Sequence, residues 1–252
     1  MPTSRPLTPE REGLSLAALV SGGKDSIHAA RLYEEWGGTL REIITLRPSD
    51  PDAWLFHTPN LRWVPLQAEA WGIPHRFVEV RGTGEEAELR ALGEALEEVR
   101  RDGASGIVVG AIESSFQWDR VHQMAHRAGL PVFSPLWRVD GRRVVDEEIA
   151  AGLDIRIARV ASEPLPPSLL GRRITRDLLR EWESIQSRGR PFHWAGEGGE
   201  YETLVLDAPF WKRRLTVDQS HVEDRGGGQS TWVVDRAHTE ERSPEGPARK
   251  SG

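Results

Sequence analysis

The stretch Leu14-Ser15-Leu16-Ala17-Ala18-Leu19-Val20, followed by Ser21-Gly22-Gly23-Lys24-Asp25-Ser26, decides the fold. A short apolar run of strand length stops at two glycines, and the helical pattern Ile27 to Trp36 begins at once. A buried strand that turns directly into a helix aims several backbone N–H groups, and the positive end of a helix dipole, at one point. An anion belongs at that point. Gly22 and Gly23 are expected to take positive φ at no steric cost and to let the backbone approach closely. Ser21 and Ser26 add hydroxyl donors, Lys24 adds a point charge, and Asp25 can hold a magnesium ion that bridges phosphate oxygens. The fragment reads as a polyphosphate cradle.

The spacing is not that of the Walker loop, G-x-x-x-x-G-K-[ST]. The hexapeptide instead resembles the SGGxDS signature of the PP-loop ATP pyrophosphatases. That resemblance implies cleavage of ATP between the α- and β-phosphates and, in many members, activation of a carboxyl or carbonyl oxygen as an adenylate.

Downstream, apolar runs alternate with amphipathic helical patterns. Leu40 to Leu46 reads as a strand after the Gly37-Gly38 helix stop, and Arg47 to Asn60 as a Pro-, Ser- and Asp-rich loop. Leu61 to Trp71 reads as a helix closed by Gly72 and Pro74, His75 to Val80 as a strand, and Glu85 to Arg101 as a charged helix. Gly106 to Gly110 is a short buried strand and Ser115 to Ala128 a helix. Such alternation predicts a parallel sheet covered on both faces, with ligands outside the carboxyl ends of its strands. With the resemblance, the expected fold class is α/β: a PP-loop, Rossmann-like (HUP-type) parallel sheet with helices on both faces, plus a smaller α+β C-terminal domain. The expected divisions are a disordered leader at 1–12, an ATP-binding domain at 13–136, a substrate-binding domain at 137–236 and a disordered tail at 237–252. In the second half, Ile174 to Arg188 reads as a helix, and Leu204 to Leu206, Leu215 to Val217 and Thr231 to Val234 as strands.

Composition narrows the function. The chain has 252 residues, 38% hydrophobic and 29% charged, enough for one large or two modest globular domains. No apolar run approaches the ~20 residues of a membrane span, and Met1 to Gly13 lacks an apolar signal core, so a cytoplasmic location is expected. The net charge of −6 argues against a nucleic-acid binder. With no cysteine there is no disulfide, zinc-thiolate site or iron–sulfur cluster, and no persulfide relay of the kind tRNA-thiolating relatives often need. Lys24 is one of only three lysines, with Lys212 and Lys250.

The second dense constellation is Ala195-Gly196-Glu197-Gly198-Gly199-Glu200-Tyr201-Glu202-Thr203, with three carboxylates and three glycines in the eight residues from Gly196. As a strand, Glu200 and Glu202 would share one face, with Tyr201 opposite. Taken alone, the run could also be an exposed glycine turn before an edge strand. Together, SGGKDS and this late G-E-G-G-E-[YF]-E-T segment make the chain similar to the diphthine–ammonia ligase family, also called diphthamide synthase. Phe56-His57-Thr58-Pro59-Asn60, Gln67-Ala68, Gly110-Ala111-Ile112, Gln117-x-x-Arg120-Val121 and Ser134-Pro135-Leu136-Trp137 fit as well. Phe192-His193-Trp194-Ala195 and the proline-rich Glu163 to Pro167 depart from the expected pattern.

The resemblance implies an ATP-dependent amide ligase. The carboxylate of diphthine, a modified histidine on elongation factor 2, is adenylated; ammonia displaces AMP; diphthamide, AMP and pyrophosphate are the products. ATP and Mg²⁺ are the implied cofactors, elongation factor 2 and ammonia the implied partners, and homo-oligomerisation stays open. Lys24, Asp25, Glu197 and Glu200 are the expected catalytic residues, with Asp25 on the metal. Ser21 to Ser26, His57, Thr58, Gly110, Ala111 and Ile112 are expected to bind ATP. Diphthine carries a quaternary ammonium, for which carboxylates and aromatic faces are suitable partners. Glu197, Gly198, Gly199, Glu200, Tyr201, Glu202 and Thr203 are therefore expected at the substrate, and Trp54 and Trp194 are candidate contacts. Gln117 and Arg120 could reach the nucleotide or form a solvated helix face. His122 and His126 read as a surface pair, not a metal site. Two other functions compete: a PP-loop ligase of the same fold acting on another carboxylate or on tRNA, and a nucleotide-sensing module without chemistry.

Overall fold

The computed structural model describes residues 13–48 and 60–242, apart from the side chains of 116 and 117. The predicted leader at 1–12, His57, Thr58 and Trp54, and the last residues from 243 onward lie outside the described residues.

The first half is a five-stranded, all-parallel sheet in the order β3-β2-β1-β4-β5. Its strands are β1 (Ser15–Leu19), β2 (Thr39–Pro48), β3 (His75–Val80), β4 (Gly106–Val108) and β5 (Val132–Phe133). The helices between them are α1 (Lys24–Glu35), α2 (Val64–Trp71), α3 (Glu85–Arg101) and α4 (Ser115–Arg127). Because side chains alternate along a strand, β1 feeds two cores. Leu16, Ala18 and Val20 pack with α1 and α2; Ala17 and Leu19 pack with α3 and α4. The chain leaves β1 toward β2 on one side and returns to β4 on the other. The crevice at that reversal, between the loop after β1 and the loop after β4, is where such sheets hold ligands.

Helix α5 (Gly141–Ala150), β6 (Asp154–Val160), α6 (Arg176–Ser187), β7 (Tyr201–Asp207), β8 (Arg213–Gly226) and β9 (Gln229–Glu241) make up the rest. The four strands form a second, antiparallel sheet in the order β7-β6-β9-β8. α6 closes it with Leu178, Leu179 and the fully buried Trp182. The tail predicted from 237 is corrected here, since β9 runs on to Glu241. The β8–β9 ribbon is largely solvated, so it shows no apolar alternation. Its polar residues pair across strands instead, as in Arg214–Glu240 and His238–Asp218.

Edge strand β7 docks on the loop after β1. Val205 N–H donates to the Gly22 carbonyl, and Lys24 N–H donates to Thr203 Oγ1 at 3.1 Å. Buried Gln67 of α2 donates to both Gly22 O and Val205 O. One continuous hydrophobic cluster runs from β1 and α1 through α5 to β6, β7 and α6.

On the buried face of α1, His28 is 1% exposed and neither ring nitrogen has a partner. Burial, with the charges of Arg31 and Lys24, pushes its pKa down to about 3. The unfolded chain takes a proton near 6.5 that the folded chain refuses. His28 therefore costs stability increasingly as pH falls from about 6.5 toward 3. In urea unfolding, His28→Leu should gain on the wild type by roughly 1.4 kcal/mol per pH unit below 6.5. A constant gap between pH 8 and about 4.5 would contradict this.

Candidate functional site

The loop after β1 takes its shape from one glycine. Gly22 has φ +84°, and a Cβ there would stand 2.8 Å from Gln67 Oε1. Gly23 corrects the expectation of two positive φ values: it is extended, at φ −79° and ψ 166°. It is the N-cap of α1 and has no side chain to cap it; Thr203 Oγ1 takes the Lys24 N–H from across the crevice, and Asp25 and Ser26 follow at the cavity. Ser26 Oγ accepts from Ser21 N–H and donates to Gly23 O, fixing the hydroxyl at the turn. Across the crevice, Gly110 sits against this turn. A Cβ on it would lie 2.7 Å from the backbone of Ser26.

A cavity of about 270 Å³ opens over this turn. Ser21, Gly23, Lys24, Asp25 and Ser26 form its floor. Gly110, Ala111, Ser114, Trp118 and Val121 form one wall, and Gly196, Glu197, Gly199, Tyr201, Glu202 and Thr203 the other. The two motifs, some 170 residues apart in the chain, thus face each other: Lys24 Nζ donates to Ala195 O at 2.9 Å across 171 positions. Among the described residues, four expected to bind ATP or substrate do not line the cavity. Gly22 lies beneath it, Ile112 is in the core, and Gly198 and Glu200 are behind the acidic loop.

Lys24 is 1% exposed and its three N–H groups meet three acceptors: Asp25 Oδ1 at 2.6 Å, Asp25 Oδ2 at 2.7 Å and Ala195 O. Burial would lower the pKa of this ammonium, but Asp25, Glu148 and Tyr201 outweigh that and hold it above its ordinary value. Tyr201 is buried beneath it, with its ring centroid 5.7 Å from Nζ and its hydroxyl donating to Trp194 O.

The glutamates divide. Glu197 Oε2 accepts the N–H groups of Glu113 and Ser114 at 3.1 Å, just before α4, and so ties the acidic loop to the opposite wall. Burial first, then Asp25, raises its pKa. Glu202 pairs with Arg159 at 2.8 Å. Glu200 does not share a strand face with Glu202, because β7 begins at Tyr201; its Oε1 turns back to accept His193 N–H at 2.9 Å. Trp194 packs on Trp182 and Phe192 with Arg142 over its ring, away from the cavity wall. Arg120 pairs with Glu85 of α3. His122 stacks on Trp118 at 3.6 Å.

Sequence reasoning missed Glu148, Gln67 and Trp118 as parts of this site. Glu148 is fully buried beside Lys24 and Asp25; burial pushes its pKa well up, Lys24 pulls it down and Asp25 raises it. Its signal was available: it falls one turn after the buried Val144 and Val145, on the core face of α5.

The comparisons with known proteins agree across both halves. Residues 14–132 match the family model described as diphthamide synthase N-terminal domain, and residues 141–240 the one described as diphthamide synthase C-terminal domain. A diphthine–ammonia ligase of Danio rerio is 30% identical over 255 residues, covering 91% of this chain and 98% of that protein. The Homo sapiens protein of the same name is 31% identical over 228 residues, covering 83% and 85%. A solved structure titled as a predicted subunit of tRNA methyltransferase from Methanocaldococcus jannaschii DSM aligns at a TM-score of 0.43 and 14% identity, over 78% of this chain and 98% of that one. That likeness is too loose to carry an argument.

The close approach at Gly110 is open to test. Gly110→Ala should lose about 1–3 kcal/mol in urea unfolding, because backbone, not a flexible side chain, blocks the new methyl. Wild-type stability in this variant would contradict the packing of the loop after β4 against α1.

Proposed function

The chain belongs to the diphthamide synthase family, and on that premise we propose that it is an ATP-dependent amide ligase. It adenylates the carboxylate of diphthine on elongation factor 2 and transfers ammonia to it, releasing diphthamide, AMP and pyrophosphate. The observation that carries this reading is the meeting of the phosphate-type loop and the acidic loop on one cavity, joined through buried Lys24. A nucleotide sensor needs no such second wall. The reading as a ligase for another carboxylate or for tRNA is not favoured, since the curated relatives carry the diphthine–ammonia ligase name.

The residues fit a triphosphate. The first turn of α1 at Asp25 and Ser26, with the Ser21 and Ser26 hydroxyls, offers donors and a positive dipole end. Asp25 also fits a magnesium ion. Its carboxylate is 25% exposed at the cavity, and Mg²⁺ takes one or two carboxylates and fills its shell with phosphate oxygens and water. Bound there, the ion would offset charge on the pyrophosphate group. For this Asp25 must release Lys24, whose N–H groups are all engaged in the present state. The freed ammonium is then the donor to the phosphates.

Residues 13–136 carry the nucleotide and residues 137–241 the acceptor. Glu197, Glu202, Gly199 and Thr203 face the acceptor, with carboxylates suited to a quaternary ammonium or to ammonium before deprotonation. Glu200 shapes the loop from behind. Among the described residues no helix is long and apolar enough to cross a membrane; the proposed compartment is the cytoplasm, where elongation factor 2 acts.

Purified protein with ATP, Mg²⁺, ammonium and diphthine-bearing elongation factor 2 should form AMP and pyrophosphate only when the factor is present. Asp25→Ala should lower that rate by about a hundredfold or more. A folded, nucleotide-binding protein that makes no factor-dependent AMP would overturn the proposal.

A further inference from the structure

His193 has no part in the reaction as proposed, yet its ring makes three polar contacts at the entry to the acidic loop. Nδ1 accepts two backbone N–H groups, from Ala195 at 3.2 Å and Glu197 at 3.3 Å. Those contacts assign the tautomer: Nε2 carries the proton and faces Glu113 Oε2 at 3.3 Å. The backbone of His193 is used as well, its N–H donating to Glu200 Oε1 and its carbonyl accepting from Gly196 N–H. Gly141, the first residue of α5, is flush with the ring. A Cβ there would stand 2.7 Å from Cε1 and 3.0 Å from Nε2. The ring is thus wedged between α5 and the segment before α4.

The two residues whose N–H groups it holds are the two that join the cavity walls. Ala195 supplies the carbonyl that takes Lys24 Nζ, and Glu197 supplies the carboxylate that holds the N–H groups of Glu113 and Ser114. We infer that His193 is a positioning residue: its imidazole braces the loop from 195 to 199 so that the Ala195 carbonyl and the Glu197 carboxylate meet the nucleotide side of the cavity in register. It touches no reacting atom. Its effect is transmitted through the loop, where a displacement of about 1 Å is enough to cost on the order of a hundredfold in rate.

The inference rests on the ligase reading for its rate arm only; its structural arm stands alone. Three variants separate the roles. His193→Ala removes the acceptor. His193→Asn keeps an acceptor oxygen near the position of Nδ1. Gly141→Ala leaves every polar atom in place but crowds the ring, at a residue whose φ is not positive. Amide exchange of the segment 194–200 is followed by mass spectrometry, beside factor-dependent AMP formation. His193→Ala and Gly141→Ala should speed exchange of the loop amides about tenfold or more and lower kcat by about a hundredfold, with KM for ATP within about threefold of wild type. His193→Asn should restore most of the protection and most of the rate. Wild-type exchange in His193→Ala, or an asparagine variant no better than alanine, would overturn the inference. If the wild type itself makes no AMP with the factor, the ligase reading fails, and the exchange result decides the brace by itself.

Discussion

Everything at the centre of this molecule follows from burying one ammonium group. An unpaired buried charge costs several kcal/mol, so Lys24 requires acceptors on every N–H. The chain around the β1 turn supplies only Asp25. The third acceptor, Ala195 O, comes from the far half of the sequence. The second sheet must therefore close over the first before the turn is satisfied, and β7 does so with Thr203 on Lys24 N–H and Val205 on Gly22 O. The cavity is complete only when both halves have folded together. The hydrophobic cluster shared by the two sheets is the packing expression of the same requirement.

Charge is unevenly distributed around that ammonium. Asp25, Glu197 and Glu202 line the cavity, and Glu148 lies buried behind it, while Lys24 is the only basic residue on the cavity lining among the described residues. Burial raises the pKa values of Glu148 and Glu197, the direction expected when carboxyls crowd in a poorly solvated space. Such a site gains from an incoming cation. The proposed chemistry brings more than one: a metal ion with the nucleotide, ammonia or ammonium, and the quaternary ammonium of diphthine.

Four strands of the first sheet were legible because their devices are local, while the two-residue β5 carries no run of strand length. The Ser21 to Ser26 turn, the Gly37-Gly38 stop and the Gly72 and Gly129 helix ends are all written in neighbouring residues, and the apolar runs of β1 and β4 have strand length. The cavity was legible as two motifs but not as a geometry. Glu200 looked equivalent to Glu202, yet β7 starts one residue later and turns Glu200 back to His193. Gly23 looked like a second positive-φ position, yet only Gly22 bends the chain. Gln67, Glu148 and His193 act through partners 45 to 138, 123 to 124 and 80 positions away, and no local pattern encodes that distance. Of β8 and β9 only the apolar cores, Leu215 to Val217 and Thr231 to Val234, were legible; their long solvated extensions keep no apolar alternation to read.

The most direct test of the account is a crystal structure of the protein with a non-hydrolysable α,β-methylene analogue of ATP and Mg²⁺. The account predicts the β- and γ-phosphates over the first turn of α1, Asp25 turned to the metal, Lys24 on phosphate oxygens, and the loop from 195 to 199 closing the far wall. Phosphates bound elsewhere, or placed there with the Lys24–Asp25 pair unchanged, would contradict it.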